Sequence, residues 1–196
     1  HLICNSIVGV DAGAYTGFLY VMQYRELIYE IYEEICGSRL TTNIGRIGGF
    51  ERNFNNTAFE KLEKFLATYP KQLKEFETLF TRNRIFMERT IGCGPISAER
   101  ALNYGFTGPN LRAAGVDYDV RVMNPYSSYE DFDFIVPVGI HGDTYDRFMV
   151  REEEMWQSLS IIRQALEKLE KLDDKTSFHA DVPDFYLPPK EDVYND

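Results

Sequence analysis

The chain has 196 residues, of which 44% are hydrophobic, and 31 acidic against 21 basic side chains give it a formal net charge of -10. This length and composition suffice to bury a sizeable core in one or two domains and are those of a folded globular protein. The acidic balance disfavours nucleic acid and anionic membrane surfaces as partners.

Residues 1–24, HLICNSIVGVDAGAYTGFLYVMQY, are apolar, and Asp11 is the one formal charge among them if His1 is neutral. About 20 apolar residues span a bilayer, but the polar side chains here and the charged sequence that follows argue against a membrane helix. An ionised carboxylate is costly to bury without partners. Asp11 is therefore exposed at a helix edge, hydrogen-bonded in a polar pocket, or protonated.

Three glycines spaced by four interrupt this segment: Gly9, Gly13 and Gly17. Because glycine lowers helix stability, we expect a break near residues 11–16. The alternative is a single helix whose glycine ridge admits a close neighbour. A second helix is predicted from about residue 18 to 36, with Gly37 as its C-terminal stop.

Residues 38–56, SRLTTNIGRIGGFERNFNN, are rich in turn formers and predict a loop with little regular structure. Arg46 lies there among glycines, where the backbone can pass close to a ligand or partner. From residue 57, apolar side chains recur at steps of three and four. This spacing predicts an amphipathic helix, which Pro70 should kink or divide.

Short helices joined by glycine turns are predicted for residues 82–115, with Ser97 as an N-cap and Gly105 as a C-terminal stop. The strand-like stretches, residues 120–123 and 132–138, predict one small β hairpin.

A long helix is predicted over residues 143–172, and its early acids suit the positive end of the helix dipole. From residue 173 the chain becomes acidic and proline-bearing, which is typical of an extended tail or linker. The expected fold class is therefore mainly α (α+β), a helical bundle with a small β hairpin. Residues 1–172 form the main domain and residues 173–196 the tail.

No motif in the sequence forms a self-sufficient active site. The cysteines contain no CxxC pair and the histidines lie far apart, so we expect neither a disulfide scaffold nor a metal site. These residues are Cys4, Cys36, Cys93, His1, His141 and His179. Unpaired cysteines favour the cytoplasm as the compartment.

Paired charges among apolar and glycine residues are the feature that stands out. They are Arg112, Asp119, Arg121, Asp143, Asp146, Arg147 and Arg151. The spacing of Asp143, Arg147 and Arg151 predicts an (i, i+4) acid–base pair and a second guanidinium on one helix face. Either this is a solvated helix face, or it is a buried polar network that positions a cofactor or conducts protons.

Several stretches carry a resemblance to a known family: RLTTNIGRIGG, RNRIFMERTIGCGPISAERALNYGFTGPNLRAAGVDYDVR, NPYSSYEDFDFIVPVG and GDTYDRFMVREEEMWQSLSIIRQALEKL. In this order the chain resembles the 49-kDa subunit family of respiratory complex I, the NADH:quinone oxidoreductase. That family is related to the large subunit of nickel-iron hydrogenases. A membrane-bound hydrogenase large subunit and a purely structural docking subunit are the alternatives.

The resemblance implies a hydrogenase large-subunit-like protein of the peripheral arm, on the cytoplasmic side of the bacterial inner membrane, that binds no metal itself. Quinone would be the substrate, and NADH and the iron-sulfur clusters would be bound by other subunits. The implied partners are the subunit that carries the terminal four-iron four-sulfur cluster and the membrane arm. The sequence looks like a central piece of such a subunit, which by itself should be inactive.

The resemblance also implies roles for individual residues. Asp11 matches a family aspartate that hydrogen-bonds a quinone-contacting histidine, and Ile3 and Ile7 match positions that face the quinone pocket. Arg46 matches an arginine close to the terminal cluster, whereas the histidine of many members five residues earlier is Thr41 here. Four further residues match charged positions that the family uses at the subunit interface or in structural roles: Arg112, Arg121, Asp143 and Arg147. Because the quinone-contacting histidine and tyrosine would precede residue 1, we expect Asp11 to be exposed or paired elsewhere.

Overall fold

The computed structural model describes residues 1–50, 52–172 and 176–181, and helices dominate this part of the chain. The helices are α1 (Leu2–Asp11), α2 (Tyr15–Cys36), α3 (Asn56–Leu79), α4 (Arg84–Thr90), α5 (Ala98–Asn103), α6 (Gly108–Ala113), α7 (Val120–Met123) and α8 (Thr144–Leu169). The strands are β1 (Gly45–Arg46) and β2 (Gly49–Phe50), and a 3-10 turn spans Tyr129–Asp131. The mainly α class with a small β hairpin is confirmed.

The apolar first segment breaks into two helices, as its glycines predict. Helix α1 ends at Asp11, Gly13 adopts a left-handed φ of +87° in the turn, and α2 begins at Tyr15. Helix α2 ends where predicted, because Gly37 takes the left-handed conformation and its N–H donates to the Glu33 carbonyl at 2.8 Å.

Helix α3 runs through Pro70 without being divided there. Proline removes one backbone donor, but tertiary packing of a long apolar face outweighs that loss. The face of α3 that packs on α2 and α8 buries Phe65, Tyr69, Leu73 and Phe76. At the start of α3, the side chain of Asn55 accepts a hydrogen bond from the Ala58 N–H at 2.8 Å.

The β hairpin lies in a different place from the one predicted. Residues 120–123 form α7, and within 132–138 the backbone has no regular secondary structure, so the predicted strands were wrong. The side chain of Asp119 accepts from the Arg121 N–H at 2.9 Å, and this N-cap starts a helical turn where β-branched residues favoured a strand.

The observed hairpin lies inside the glycine-rich segment that was predicted to be a loop. Its register pairs Gly45 with Phe50 and Arg46 with Gly49. Gly48 and Gly49 have φ of +95° and +146°, which L side chains rarely adopt. The two glycines of RIGG thus make a tight reversal between two short strands, where composition alone predicted irregular structure.

The core lies among α1, α2, α3 and α8. Its centre is a cluster of four buried phenyl rings whose centroids are 4.7 to 6.0 Å apart. The cluster consists of Phe76, Phe80, Phe86 and Phe148. A smaller apolar cluster forms between α5 and α6 around Ala101 and Leu111.

Helix α8 ends at Leu169, and the tail predicted from residue 173 falls mostly outside the described residues. Its described part, residues 176–181, returns to the hairpin. The Phe50 N–H donates to the Phe178 carbonyl at 3.0 Å, and the Ala180 N–H donates to the Gly48 carbonyl at 2.8 Å. Among the helices of the described ranges, none is long and apolar enough to cross a membrane.

Candidate functional site

Ile3, Ile7 and Asp11 lie on one exposed face of α1. Residues four positions apart project from the same side of a helix, and all three side chains are exposed. Ile7 is 46% exposed although it is a large aliphatic side chain. The face therefore presents two aliphatic side chains and, at the helix end, one carboxylate.

A buried polar side chain on the opposite face, that of Asn5, links α1 to α8. Asn5 is fully buried, and its Nδ2 donates to the backbone carbonyl of Phe148 on α8 at 3.0 Å. Ser6 is also fully buried, and its hydroxyl donates within α1 itself, to the Ile3 carbonyl at 2.9 Å. Because the Asn5 amide finds this partner only with α1 seated on α8, the aliphatic face is held outward.

Asp11 is exposed, and within the described ranges its carboxylate forms no hydrogen bond or ion pair. The end of α1 is instead held by Arg89, whose Nη1 donates to the Ala12 carbonyl at 2.5 Å. The expectation that the Asp11 carboxylate is exposed in this chain is confirmed.

A buried ion-pair network links α6, α8 and the start of α7. Nε and Nη2 of Arg112 donate to the same Glu154 oxygen at 2.8 and 2.5 Å, and Arg112 is only 6% exposed. Its Nη1 donates to the Tyr118 carbonyl at 3.0 Å and lies 3.4 Å from Asp119 Oδ2. The second oxygen of Glu154 lies 2.5 Å from Nε2 of His1. Arg112 and Asp119 are therefore buried in a polar network and do not lie on a solvated face, and a role of this network in positioning a cofactor or conducting protons stays a prediction.

The pair of Asp119 and Arg121 completes this network. Nη2 of Arg121 donates to Asp119 Oδ2 at 2.7 Å, and the guanidinium lies 4.7 Å from the ring centroid of Phe134. Burial opposes ionisation of Asp119, but the hydrogen bonds from Arg121 outweigh it and lower the Asp119 pKa. The same hydrogen bond raises the pKa of Arg121.

Asp143 and Arg147 do not form the predicted ion pair. Asp143 is the N-cap of α8, with Oδ1 accepting from the Asp146 N–H at 2.8 Å and Oδ2 from the Gly92 N–H at 2.7 Å. Arg147 donates instead to the carbonyls of Gly142 at 2.6 Å and Gly94 at 3.2 Å. The prediction was wrong because both side chains form hydrogen bonds with backbone groups instead of with each other. Some of these groups belong to the residue 92–94 loop.

Arg46 lies on β1 in the exposed hairpin. The main packing contacts of α1 are with α2 and α8, so the hairpin is not among the elements that pack chiefly against the helix of Ile3, Ile7 and Asp11. Thr41, at the position where many family members have a histidine, is exposed, with its hydroxyl 3.2 Å from that of Ser38. Within the described ranges, no group of three or more His, Cys, Asp or Glu side chains is arranged to hold a metal ion.

Sequence reasoning missed two buried acids on α8, Glu152 and Glu154, because the run of three glutamates suited the helix dipole. Burial raises the pKa of Glu152 to about 7, although hydrogen bonds from the Thr81 hydroxyl at 2.7 and 2.9 Å oppose this rise. The signal was the spacing, since Glu152 stands four residues after buried Phe148 and three before buried Met155.

The chain matches known proteins over its whole length. Residues 11–196 match the family model described as respiratory-chain NADH dehydrogenase, 49 Kd subunit. An NADH-quinone oxidoreductase subunit of Cytophaga hutchinsonii is 77% identical over 100% of this chain and 49% of its own length. The equivalent NADH-quinone oxidoreductase subunits of Flavobacterium johnsoniae and Leptospira biflexa are 72% and 48% identical, each over 100% of this chain and 47% of its own length.

The chain thus spans about half the length of the curated relatives it matches. The match of the family model covers far more than half of the chain, and it agrees with the motifs that carried the resemblance. The chain belongs to the 49 kDa subunit family of the respiratory-chain NADH dehydrogenase.

Proposed function

We propose that the whole protein is a subunit of an NADH:quinone oxidoreductase and forms part of its quinone-binding pocket. The pocket lies beside the terminal four-iron four-sulfur cluster of a neighbouring subunit, and electron transfer to quinone is coupled there to proton translocation. Family membership and the names of the relatives support the complex. The observation that carries the pocket is the exposed face of α1 with Ile3, Ile7 and Asp11.

This face has the chemistry that a quinone head requires. Aliphatic side chains suit a flat apolar ring, and a small number of polar groups then orient it. Ile3 and Ile7 would line the pocket, while the Asp11 carboxylate would hold and charge a histidine of the whole protein that lies outside these 196 residues. A charged histidine donates a hydrogen bond or a proton to the quinone oxygen, and carboxylate–histidine pairs are suited to such general acid catalysis.

The charged residues named by the resemblance would act behind and beside this pocket. Arg112 joins α6 to α8, Arg121 bonds the N-cap residue of α7, and Asp143 holds the start of α8 to the residue 92–94 loop. We assign them to keeping the interface with the cluster-bearing subunit in shape. Arg46, exposed on its hairpin, and Arg147 would lie closer to that subunit.

The proposed setting is peripheral, on the cytoplasmic side of the bacterial inner membrane, with the membrane arm and the other subunits as partners. NADH and the iron-sulfur clusters would be bound by those subunits. Residues 1–172 would be the central part of the 49 kDa domain and residues 173–196 a linker. The 196-residue chain alone should show no quinone reduction.

Replacing Asp11 by Asn in the intact complex tests the catalytic role. We expect quinone reductase activity to fall at least about tenfold, because the histidine loses the carboxylate that charges it. NADH oxidation by artificial acceptors, which bypasses the quinone site, should stay unchanged. Thr16→Ala, which changes an exposed side chain in the first turn of α2, serves as the control. Unchanged quinone turnover in Asp11→Asn would refute the assignment.

A purely structural docking role is the second candidate, and exposed apolar side chains outside α1 favour it. Met123 is 60% exposed, Ile135 70% and Ile140 83%. All three fall between the end of α7 and the start of α8 in the sequence, and exposed apolar side chains that form a contiguous patch mark an interaction surface. If docking were the whole function, Arg46→Ala would dissociate the complex on a native gel, whereas Asp11→Asn would leave quinone turnover intact.

A further inference from the structure

A cavity of about 640 Å³ opens between α1, α5, α6 and the first turns of α8. Three guanidinium groups line it, from Arg100, Arg147 and Arg151, together with the aromatic rings of Tyr104 and Phe106. None of the described residues that line the cavity is acidic. In a chain with a net charge of -10, this is a local excess of positive charge.

Arg147 and Arg151 lie one turn apart on α8, and both are half-buried. Their hydrogen bonds go to uncharged oxygens. Arg151 donates to the Arg147 carbonyl at 2.8 Å and to Asn110 Oδ1 at 2.7 Å, and Arg147 donates to two loop carbonyls and, at 2.8 Å, to the Thr144 hydroxyl. In the ranges that the structure describes, no carboxylate oxygen comes within 4.0 Å of either guanidinium.

The other buried or half-buried arginines of the network are paired differently. Arg112 binds Glu154 and Arg121 binds Asp119 through charge-assisted hydrogen bonds. Burial lowers the pKa of Arg147, and the charge of Arg151 lowers it further, while Asp143 and Asp146 only partly compensate. Buried charges are stable in proteins when they are paired, so these two guanidiniums lack a directly bound counter-charge within the described part of the chain.

We propose that this cavity receives an acidic side chain of a neighbouring subunit, whose carboxylate bridges Arg147 and Arg151. This inference rests on the proposed function, in which the protein works inside a multi-subunit complex. A free anion would neutralise the guanidiniums but leave the apolar edge of the cavity uncovered. Tyr104, which is 66% exposed, and Val8 belong to that edge. A protein segment covers both, and interface cores are enriched in arginine and aromatic residues.

The test uses the full-length protein in its assembled complex and the conservative variant Arg151→Lys. A carbodiimide joins an amine to a carboxylate only when the two groups are in direct contact. We expect mass spectrometry to find a cross-link from position 151 to an Asp or Glu of another subunit. Arg163→Lys is the matched control, because Arg163 is exposed further along the same helix and does not line the cavity.

A second measurement is independent of cross-linking. Arg151→Gln should at least halve the amount of neighbouring subunits retained on affinity purification at high salt, whereas Arg163→Gln should leave it unchanged. The inference would be overturned if the complex were intact and reduced quinone normally, but position 151 formed no cross-link or formed one only within its own chain. The proposed function would then still stand. If the unmodified protein joins no other subunit, the proposed function fails, and this inference fails with it.

Discussion

Gly17 lies so close to the ring of Phe80 that a β-carbon at Gly17 would come within 2.0 Å of the ring atom Cζ. From α1, Gly9 approaches the same ring, and a β-carbon there would lie 2.3 Å from Cε1. Phe80 itself is fully buried. Two of the three evenly spaced glycines therefore belong to different helices, and both make room for one aromatic side chain.

Gly17→Ala should destabilise the protein because the added methyl group collides with the Phe80 ring. Overpacking typically costs about 1–3 kcal/mol, which exceeds the gain of up to about 1 kcal/mol in helix propensity. The free energy of unfolding, measured by denaturant titration, reports the loss. Thr16→Ala, one residue earlier and exposed, should change it little. Equal stability of Gly17→Ala and the parent would show that the ring can move aside.

Breaking the buried pair of Arg112 and Glu154 should destabilise the fold strongly. Arg112→Met leaves the Glu154 carboxylate without its main partner, and removing one member of a buried pair costs about 3–5 kcal/mol. The double variant Arg112→Met with Glu154→Leu should recover part of this loss, because neither member of the pair then stays buried without the other. Denaturant titrations of the parent, both single variants and the double variant measure the coupling. Strictly additive losses would contradict a direct interaction.

The stability of the protein should depend on pH through Glu152. Its pKa is about 7 in the folded protein against an ordinary value of 4.5, so between these values the folded state holds the proton while the unfolded chain has released it. This contribution is fully present below pH 4.5 and is lost as pH rises through about 7.

Glu152→Gln should remove that dependence and make the protein more stable than the parent at pH 8. The difference in unfolding free energy between the variant and the parent should be more favourable to the variant at pH 8 than at low pH, by on the order of 2–3 kcal/mol. Unfolding free energies at pH 5 and pH 8 measure it, with Glu153→Gln as the exposed neighbouring control. A Glu152→Gln variant whose stability changes with pH as the parent's does would disprove the raised pKa.

Asp143→Ala should loosen both the start of α8 and the residue 92–94 loop. It removes the acceptor of the Asp146 and Gly92 N–H groups, and loss of an N-cap alone costs about 0.5–2 kcal/mol. Hydrogen exchange should accelerate at the Gly92 amide. If Asp143 acted only as the N-cap of α8, exchange at Gly92 would not change. Ser97→Ala, which removes the α5 cap, is the comparison and should leave Gly92 protected.

Features that depend on neighbours in the chain were predictable from the sequence. The end of α2 at Gly37 and the cap at Ser97 follow from the conformational freedom of glycine and the short reach of a serine hydroxyl. The break after Asp11 follows in the same way from the nearby glycines. The motifs of the resemblance, which are also local, led to the family and to the exposed position of Asp11.

Long-range contacts decided what the sequence left open or misplaced. Asp143 and Arg147 stand at ion-pair spacing, yet a backbone N–H 51 residues away takes one oxygen of the carboxylate. The outward position of the Ile3 face depends on Asn5, whose hydrogen-bond partner lies 143 residues along the chain. A periodicity shows which side chains share a face of a helix. Which face is buried is decided by the groups that the fold brings against it, because burying a polar group that has no hydrogen-bond partner is costly.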